Sequence, residues 1–451
     1  MSVLSLSAHV PDDVLARLVP ERVAMPGRAD AVVIGGGIVG CASAYYLARA
    51  GLSVVLIERD AVASQQSGRN WGFVRTQYRD PLELPLAVEA LAIWPELEGE
   101  LGEPLGWRRT GCVFVSETEA EQAAFAAWHD RTRDLSGASR LLSPGETRDL
   151  LPALSRPTEG ALFTPSDGQA EPALATLAFA RAAGRAGVRM IEDCGVLAIE
   201  RSGGRVTGVT TEQGTITADI VVCAAGAQSH RLLAPLGLDL PQQMVRSTVS
   251  LTAPLPQLAD PCFCGFGIGL RQRADGSCII AADSTSDIDV TLDSLRGMRF
   301  FLREFYRHRS GFSLRLGRPF LDDLHQRLCV PREQRAVAGR RPTIPANDAR
   351  AACTGETVAT LFPRAGEVTL VKSWAGLIDV LPDALPVLDA PAPVPGLIVA
   401  TGFSGHGFGL GPAVGRHVAA LATGRAASPM LEPLRLERFA AGTYARAHAP
   451  L

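Results

Sequence analysis

Three glycines at a fixed spacing open the chemistry of this chain. Gly35-x-Gly37-x-x-Gly40 follows at once on the apolar, β-branched run Ala31–Ile34 and leads into the Ala- and Leu-rich stretch Cys41–Ala50. The first glycine permits a tight turn, the second lets a pyrophosphate approach the backbone, and the third lets a helix lie against the preceding strand. The helix N-terminus then offers unpaired N–H groups and partial positive charge to the phosphates. Glu58 ends a second apolar run, Ser53–Ile57, 18 residues past Gly40, where a carboxylate accepts hydrogen bonds from a ribose and disfavours a 2′-phosphate. Ile38 and Arg59 stand beside these groups and join the candidate cofactor contacts. The motif predicts a bound dinucleotide and by itself leaves NAD and FAD open.

A second glycine-rich turn, TGFSGHGFGLGP from Thr401, lies near the other end of the chain, after the apolar run Leu397–Ala400. A third turn, Ala225-Gly226-Ala227, follows the apolar run Ile220–Ala224 in mid-chain. Between them ALATLAFARAAGRAG (173–187) reads as a helix, and RVTGVTTEQGTITAD alternates in period two with hairpin signals at Gly203-Gly204 and Gln213-Gly214. Residues 76–154 are mostly charged amphipathic helix. Residues 243–364 mix strand patterns with an Arg-rich helical stretch, LDSLRGMRFFLREFYRH.

These elements predict an α/β protein with a discontinuous Rossmann-like domain of residues 28–75, 155–242 and 365–430. An α+β substrate domain built on an antiparallel sheet, residues 76–154 and 243–364, is inserted into it, and residues 1–27 form an N-terminal extension. A simple NAD enzyme completes its sheet in one block, whereas turns at both ends of the chain suit the more extended FAD.

Composition bounds the rest. The formal net charge of −3 and the lack of a long Lys/Arg cluster argue against nucleic acid as a partner. No apolar run approaches the roughly 18 residues of a membrane helix, and the N-terminus lacks the basic and apolar regions of a secretory signal. The expected location is cytoplasmic. The nine cysteines are scattered without a CxxC pair and read as reduced, buried residues, and no metal site is expected.

Together VVIGGGIVG, SGRNWGFVR (67–75), the strand–AAGA turn, WAGLIDVLPDALPVL (374–388) and TGFSGHGFGLGP resemble FAD-dependent oxidoreductases of the D-amino acid oxidase, glycine oxidase and sarcosine oxidase type. The resemblance runs from about residue 30 to residue 425. It implies FAD and a substrate with a C–H bond next to nitrogen. It further implies cofactor contacts at Ser67, Gly68, Val196, Ala225 and Gly226. Gly402, Gly405, His406, Gly407 and Phe408 would form the turn at the flavin's pyrimidine edge, where a helix N-terminus favours the charge of reduced flavin. His406 either lies against the flavin or only shapes the loop.

The chain also departs from that family. Gly376-Leu377-Ile378-Asp379 stands where many relatives carry GLRP, whose arginine pairs with the substrate carboxylate. Arg75, in FVRTQY, resembles the carboxylate anchor of sarcosine-oxidase-like enzymes, although Arg69 and Arg79 flank it as ordinary charges would; Arg271 is a second candidate. Asp379 either holds a cationic group of the substrate or makes local hydrogen bonds. Ile280 falls where sarcosine-oxidase-like proteins carry an oxygen-activating lysine, which leaves the electron acceptor open. Neither a histidine in the SG loop nor a cysteine at the family's attachment position is present, so FAD is expected to be noncovalent.

The expected activity is oxidation of an amino acid or N-substituted amino acid. The alternative is a flavoprotein subunit of an opine- or proline-type dehydrogenase complex, with a partner subunit or a second copy. A more distant one is an NAD-linked dehydrogenase or a non-catalytic nucleotide binder.

Overall fold

Ala31–Ile34 is buried on both faces and forms β1, an inner strand of a six-stranded sheet. The computed structural model describes residues 24–444, apart from 137, 284, 293, 295–299, 302–311, 332–333 and 341–343. The proposed extension therefore lies almost wholly outside the described residues, as does most of the Arg-rich stretch 292–308.

In chain order this part of the fold comprises β1, α1 (Ile38–Arg49), β2 (Val54–Ile57), α2 (Leu84–Ile93), α3 (Pro172–Arg185) and β3 (Arg189–Ile191). Then come β4 (Ile220–Cys223), β5 (Val387–Asp389), β6 (Leu397–Thr401) and α4 (Gly407–Ala422). The sheet order is β5-β6-β4-β1-β2-β3, parallel except for β5. Side chains alternate between its faces. Ala31, Val33, Val54 and Leu56 pack on the helices, whereas Val32, Ile34, Val55 and Ile57 pack on a three-stranded antiparallel sheet of residues 196–217. The two turns of that small sheet fall where the hairpin signals stand, at Gly203-Gly204 and at Gln213 just before Gly214.

α1 begins at Ile38, three residues before the apolar run suggested, because the turn glycines pass straight into helical backbone. α4 packs on α1 through small residues. A Cβ on Gly415 would lie 2.7 Å from the Ala42 carbonyl carbon, and one on Gly411 3.0 Å from Ile38. Matching pairs four residues apart in the same sense show that the two helices run parallel, with both N-termini at one end. α4 starts one turn before Gly411, so it overhangs α1 by about 6 Å at that end.

The second large element is a ten-stranded sheet. Most of its pairings are antiparallel, but Cys112–Ser116 runs parallel to Cys262–Gly265, and Ser286–Asp289 parallel to Phe312–Arg315. Its longest pairing joins strand Gln243–Thr252 to strand Leu370–Val380. Gly160–Thr164 and Leu370–Val380, which the sequence boundaries assign to the nucleotide domain, are hydrogen-bonded into this sheet. One face packs on helix Asp348–Leu361 through Phe263, Leu270, Cys278 and Ile280. The other carries Val249, Leu251, Ile279 and Ala281 under Trp71 and Trp374. Among the described residues no helix is long and apolar enough to cross a membrane, and no His/Cys/Asp/Glu group suits a metal ion.

Candidate active site

At the first turn Gly35 takes φ +111°, and a Cβ on Gly40 would lie 1.9 Å from the Gly35 carbonyl oxygen, so both positions demand glycine. The Gly36 N–H donates to Glu58 Oε2 at 2.6 Å and the Asp60 N–H to Oε1 at 2.8 Å. Burial still raises the Glu58 carboxyl above its ordinary range, against these two bonds. Ser67 Oγ accepts from the Ile38 N–H at 2.9 Å, which brings the Ser67-Gly68 loop onto the N-terminus of α1. In the same loop Ser64 Oγ is buried without a hydrogen-bond partner. Arg69 donates from Nε to the Ser64 carbonyl and from Nη1 to that of Ala375. Arg59 is half-buried and lies 3.4 Å from Asp60. Val196 opens the small sheet, and Ala225 leads into Gly226, whose carbonyl accepts from Gln242 Nε2 and Thr401 Oγ1.

At the last turn Gly402 has φ +71° and Gly405 φ +85°. Asp379 Oδ2 accepts from the Gly402 N–H at 3.0 Å and from Gln242 Nε2 at 3.2 Å, while its carbonyl accepts from the Ser404 N–H. Burial pushes the Asp379 carboxyl up to about 6, against its own N–H and the bonds from Gly402 and Gln242. His406 occupies the N-cap of α4, followed by Gly407 and Phe408, and its Nδ1 lies 2.9 Å from Glu83 Oε2.

Arg75 lies beyond this turn, on the inner face of the large sheet. Its guanidinium stands 5.1 Å from the Phe114 ring centroid, and Nη1 donates to the Gln77 carbonyl. Buried Asp167 clamps the neighbouring backbone by accepting from the Thr76 N–H, Thr76 Oγ1 and the Gln77 N–H at 2.9, 2.8 and 3.1 Å. Burial pushes the Asp167 carboxyl up to about 6, against those bonds and the charge of Arg75. Among the described residues no carboxylate lies within ion-pair distance of Arg75, whereas nearby Arg79 pairs with Glu83.

A sequence profile described as "DAO: FAD dependent oxidoreductase" matches residues 30–421. The chain belongs to the DAO family of FAD-dependent oxidoreductases. It is 31% identical over 225 residues to mitochondrial sarcosine dehydrogenase from Homo sapiens; that match takes in 48% of this chain but only 24% of the relative's length. It is 25% identical over 427 residues to the sarcosine oxidase subunit beta of Arthrobacter, covering 92% of this chain and 91% of that one. Among solved structures, L-amino acid deaminase from Proteus myxofaciens in complex with anthranilate superposes with a TM-score of 0.85 at 26% identity, covering 94% of this chain and 96% of that one.

FAD is the cofactor of this DAO-family chain, and the residues fit it. Two parallel helix N-termini present N–H groups and partial positive charge on one side, as a pyrophosphate and an electron-rich ring edge require. The unpartnered Ser64 hydroxyl lies beside them, with Glu58 at the end of β2.

Two expectations are corrected by geometry. Arg271 is 1% exposed and committed to protein groups: Glu171 at 2.9 and 3.2 Å, Gln169 Oε1 at 3.1 Å and the Trp71 carbonyl. It stabilises the sheet in place of gripping a substrate. Burial alone would raise Glu171, but Arg271 and Arg273 hold it down at about 2. Ile280 faces the Asp348–Leu361 helix, away from Trp71 and Trp374; its neighbours Ile279 and Ala281 take the inner face, because strand side chains alternate.

The sequence reading missed Glu83, Asp167 and Gln242. Each is a lone polar residue whose partner is distant in the chain, 323 residues away for Glu83–His406 and 91 for Asp167–Thr76. The only local signal was Arg79 four residues before Glu83, a spacing that also marks any surface helix pair.

Proposed function

We propose that this protein oxidises an amino acid or N-substituted amino acid, with a secondary amine preferred, at the carbon next to nitrogen, and that FAD is held without a covalent bond. Bound FAD supplies the acceptor for hydride from that carbon. Arg75 pairs with the substrate carboxylate, and the N-terminus of α4 holds the cofactor's pyrimidine edge through its free N–H groups. The inner face of the large sheet, with Trp71 and Trp374, closes the site from water. The resulting imine leaves to hydrolyse. Residues 28–75, 155–242 and 365–430 serve the cofactor and residues 76–154 and 243–364 the substrate, except that strands 160–164 and 370–380 carry both duties.

The observation that carries the reading is Arg75: a half-buried guanidinium, clamped through its neighbours by Asp167 and without a carboxylate partner among the described residues. A planar fork of this kind pairs bidentately with an incoming carboxylate. Asp379 serves the Gly402 turn in this reading, since both its bonds run to protein groups.

The test is the visible spectrum of the purified protein, repeated anaerobically with pools of D-, L- and N-alkyl amino acids. Bleaching by one pool supports the reading and narrows the substrate, and Arg75→Ala should then raise KM strongly while the flavin spectrum persists. A yellow protein that no pool bleaches would refute the substrate assignment. The full-length similarity to a sarcosine oxidase subunit beta favours one second reading, a subunit that passes electrons to a partner. Admitting air separates the two, because such a subunit reoxidises slowly until an artificial acceptor is added.

A further inference from the structure

β2 and β3 are neighbouring parallel strands, so their C-terminal ends lie side by side, at the edge where an open α/β sheet binds its ligand. β2 runs out into Glu58, and β3 into the loop 192–195, after which Val196 opens the small sheet. The Asp193 N–H donates to the Asp60 carbonyl at 2.9 Å and the Cys194 N–H to the Glu58 carbonyl at 3.1 Å, so this loop and the Glu58 segment are held as one piece. Asp193 takes φ +52°, a left-handed conformation that an L side chain disfavours and that persists only where the surroundings impose it.

The imposing contacts come from a stretch that the sequence boundaries assign to the substrate domain. Residues 334–340 follow helix Arg318–Cys329, and the Val337 and Ala338 N–H groups both donate to the Gln334 carbonyl at 3.1 Å to make a turn. Arg335 ties the turn to that helix by donating to the Arg327 and Val330 carbonyls at 2.7 and 3.1 Å, and its own carbonyl accepts from Arg231 Nη1 at 3.0 Å. Buried Val337 rests on Gly195, where a Cβ would lie 2.1 Å from Val337 Cγ1. Arg340 Nη1 donates to the Asp193 carbonyl at 3.1 Å, and Nη2 pairs with Glu212 Oε2. That same oxygen accepts from the Gly195 N–H at 2.6 Å, while the Glu212 N–H donates to the Gly195 carbonyl at 3.1 Å. The strained residue and its glycine neighbour are thus held from one side by the ends of β2 and β3, and from the other by Val337, Arg340 and Glu212.

We propose that residues 334–340 brace the adenosine end of the cofactor site: Val337 and Arg340 are positioning residues that fix the 193–195 loop against the end of β2, so that FAD meets a loop already in place. The inference rests on FAD being held without a covalent bond, as proposed above. Val196, the expected adenine contact, follows Gly195 directly, and Glu58, the expected ribose acceptor, shares the loop's backbone bonds. Neither Val337 nor Arg340 has to touch FAD for this. Without them the loop must be ordered each time the cofactor binds, and that cost is subtracted from its affinity. The substrate-side segment 334–340 therefore contributes to cofactor retention at the end of FAD remote from the flavin ring.

The test loads the full chain with radiolabelled FAD and chases it with unlabelled FAD. Arg340→Ala should release the label about fivefold faster, the upper end for an ion pair whose two side chains are each 33% exposed. High salt should narrow that difference, because a half-exposed pair is screened, and Arg340→Lys should recover part of it. Flavin-free Arg340→Ala should bind ADP about fivefold more weakly in calorimetry, since ADP carries the adenosine end alone. Gly195→Ala pushes Val337 aside and should also speed release, and adding Val337→Ala should return the rate to that of Val337→Ala alone. A lower Tm with unchanged FAD release and ADP affinity in Arg340→Ala would mark a merely structural contact and overturn the proposal. Release that stays fast after Val337→Ala is added to Gly195→Ala overturns it too, because the new methyl then acts on the cofactor itself. Should Arg340→Ala fail to fold, the Gly195 and Val337 variants decide. Flavin that stays with the chain after unfolding in guanidinium defeats the noncovalent reading instead, and the ADP titration of chains expressed without riboflavin then decides the role of Arg340.

Discussion

Replacing Asp379 by asparagine separates its two possible roles through the pH dependence of stability. Its carboxyl is 6% exposed and titrates near 6 in the folded protein, where burial raises it despite bonds from Gly402 and Gln242. An unfolded aspartate titrates at about 3.9, so the shift is about 2 units, or about 3 kcal/mol at roughly 1.4 kcal/mol per unit. The folded state binds the proton more tightly than the unfolded state. The contribution is therefore fully present below about pH 4 and lost as pH rises through 6. Asparagine keeps a carbonyl oxygen for the Gly402 N–H and carries no charge at any pH. The Tm of flavin-loaded Asp379→Asn should match or fall slightly below wild type at pH 4, then overtake it between pH 5 and 7, a gain of up to about 3 kcal/mol. Taking the difference between the two proteins cancels Asp167, which titrates in the same window. Parallel Tm curves from pH 4 to 8 would refute the burial argument. A variant that keeps its flavin but loses affinity for a cationic substrate would show that Asp379 binds substrate.

Gly415→Ala should lower stability by about 1–3 kcal/mol, read as a fall in Tm, and weaken FAD binding, because its Cβ meets Ala42 backbone and overpacks the helix crossing. Gly99→Ala, at an exposed helical position with nothing within 4 Å, is the control and should gain about 0.5–1 kcal/mol; equal Tm values for the two variants would argue against the close helix crossing. Glu171→Gln leaves Arg271 buried without its counter-charge and should cost about 3–5 kcal/mol in chemical denaturation. In the wild type the same pair should lose about 3 kcal/mol as pH falls from 4.5 through 2, since the folded carboxyl titrates at about 2, below its unfolded value. Glu58→Ala frees the Gly36 and Asp60 N–H groups and should leave less FAD per chain after gel filtration, with Tm falling further in the holoprotein than in the flavin-free protein.

The cofactor half was legible because its signals are local. β1, the glycine turn, α1, β2 and Glu58 lie within 28 consecutive residues, and each follows from the types of its neighbours. The two hairpins were legible for the same reason. The ten-stranded sheet was not, since its longest pairing joins residues 243–252 to 370–380 and one of its two parallel pairs joins 112–114 to 262–264. Nothing within either strand names the other. Ile280 shows how narrow the margin is: a shift of one residue in a strand moves a side chain to the opposite face. Arg271 shows a different limit, for an arginine in a buried strand reads alike whether its partner is a substrate or Glu171, 100 residues earlier.

The strand order also sets a timetable for biosynthesis. β1 takes its neighbour β4 from mid-chain, β4 in turn takes β6, and α4 covers α1 only after β6 has been made. Roughly 360 residues separate β1 from β6, so at 5–20 residues per second the ribosome takes roughly 20–70 s to supply the closing piece. Throughout that interval the side of α1 that α4 covers, around Ile38 and Ala42, must be shielded by something other than its native partner. A chain released before Leu397 lacks both that cover and the second helix N-terminus for FAD, which makes nonsense products of this gene aggregation-prone well beyond the residues they lose.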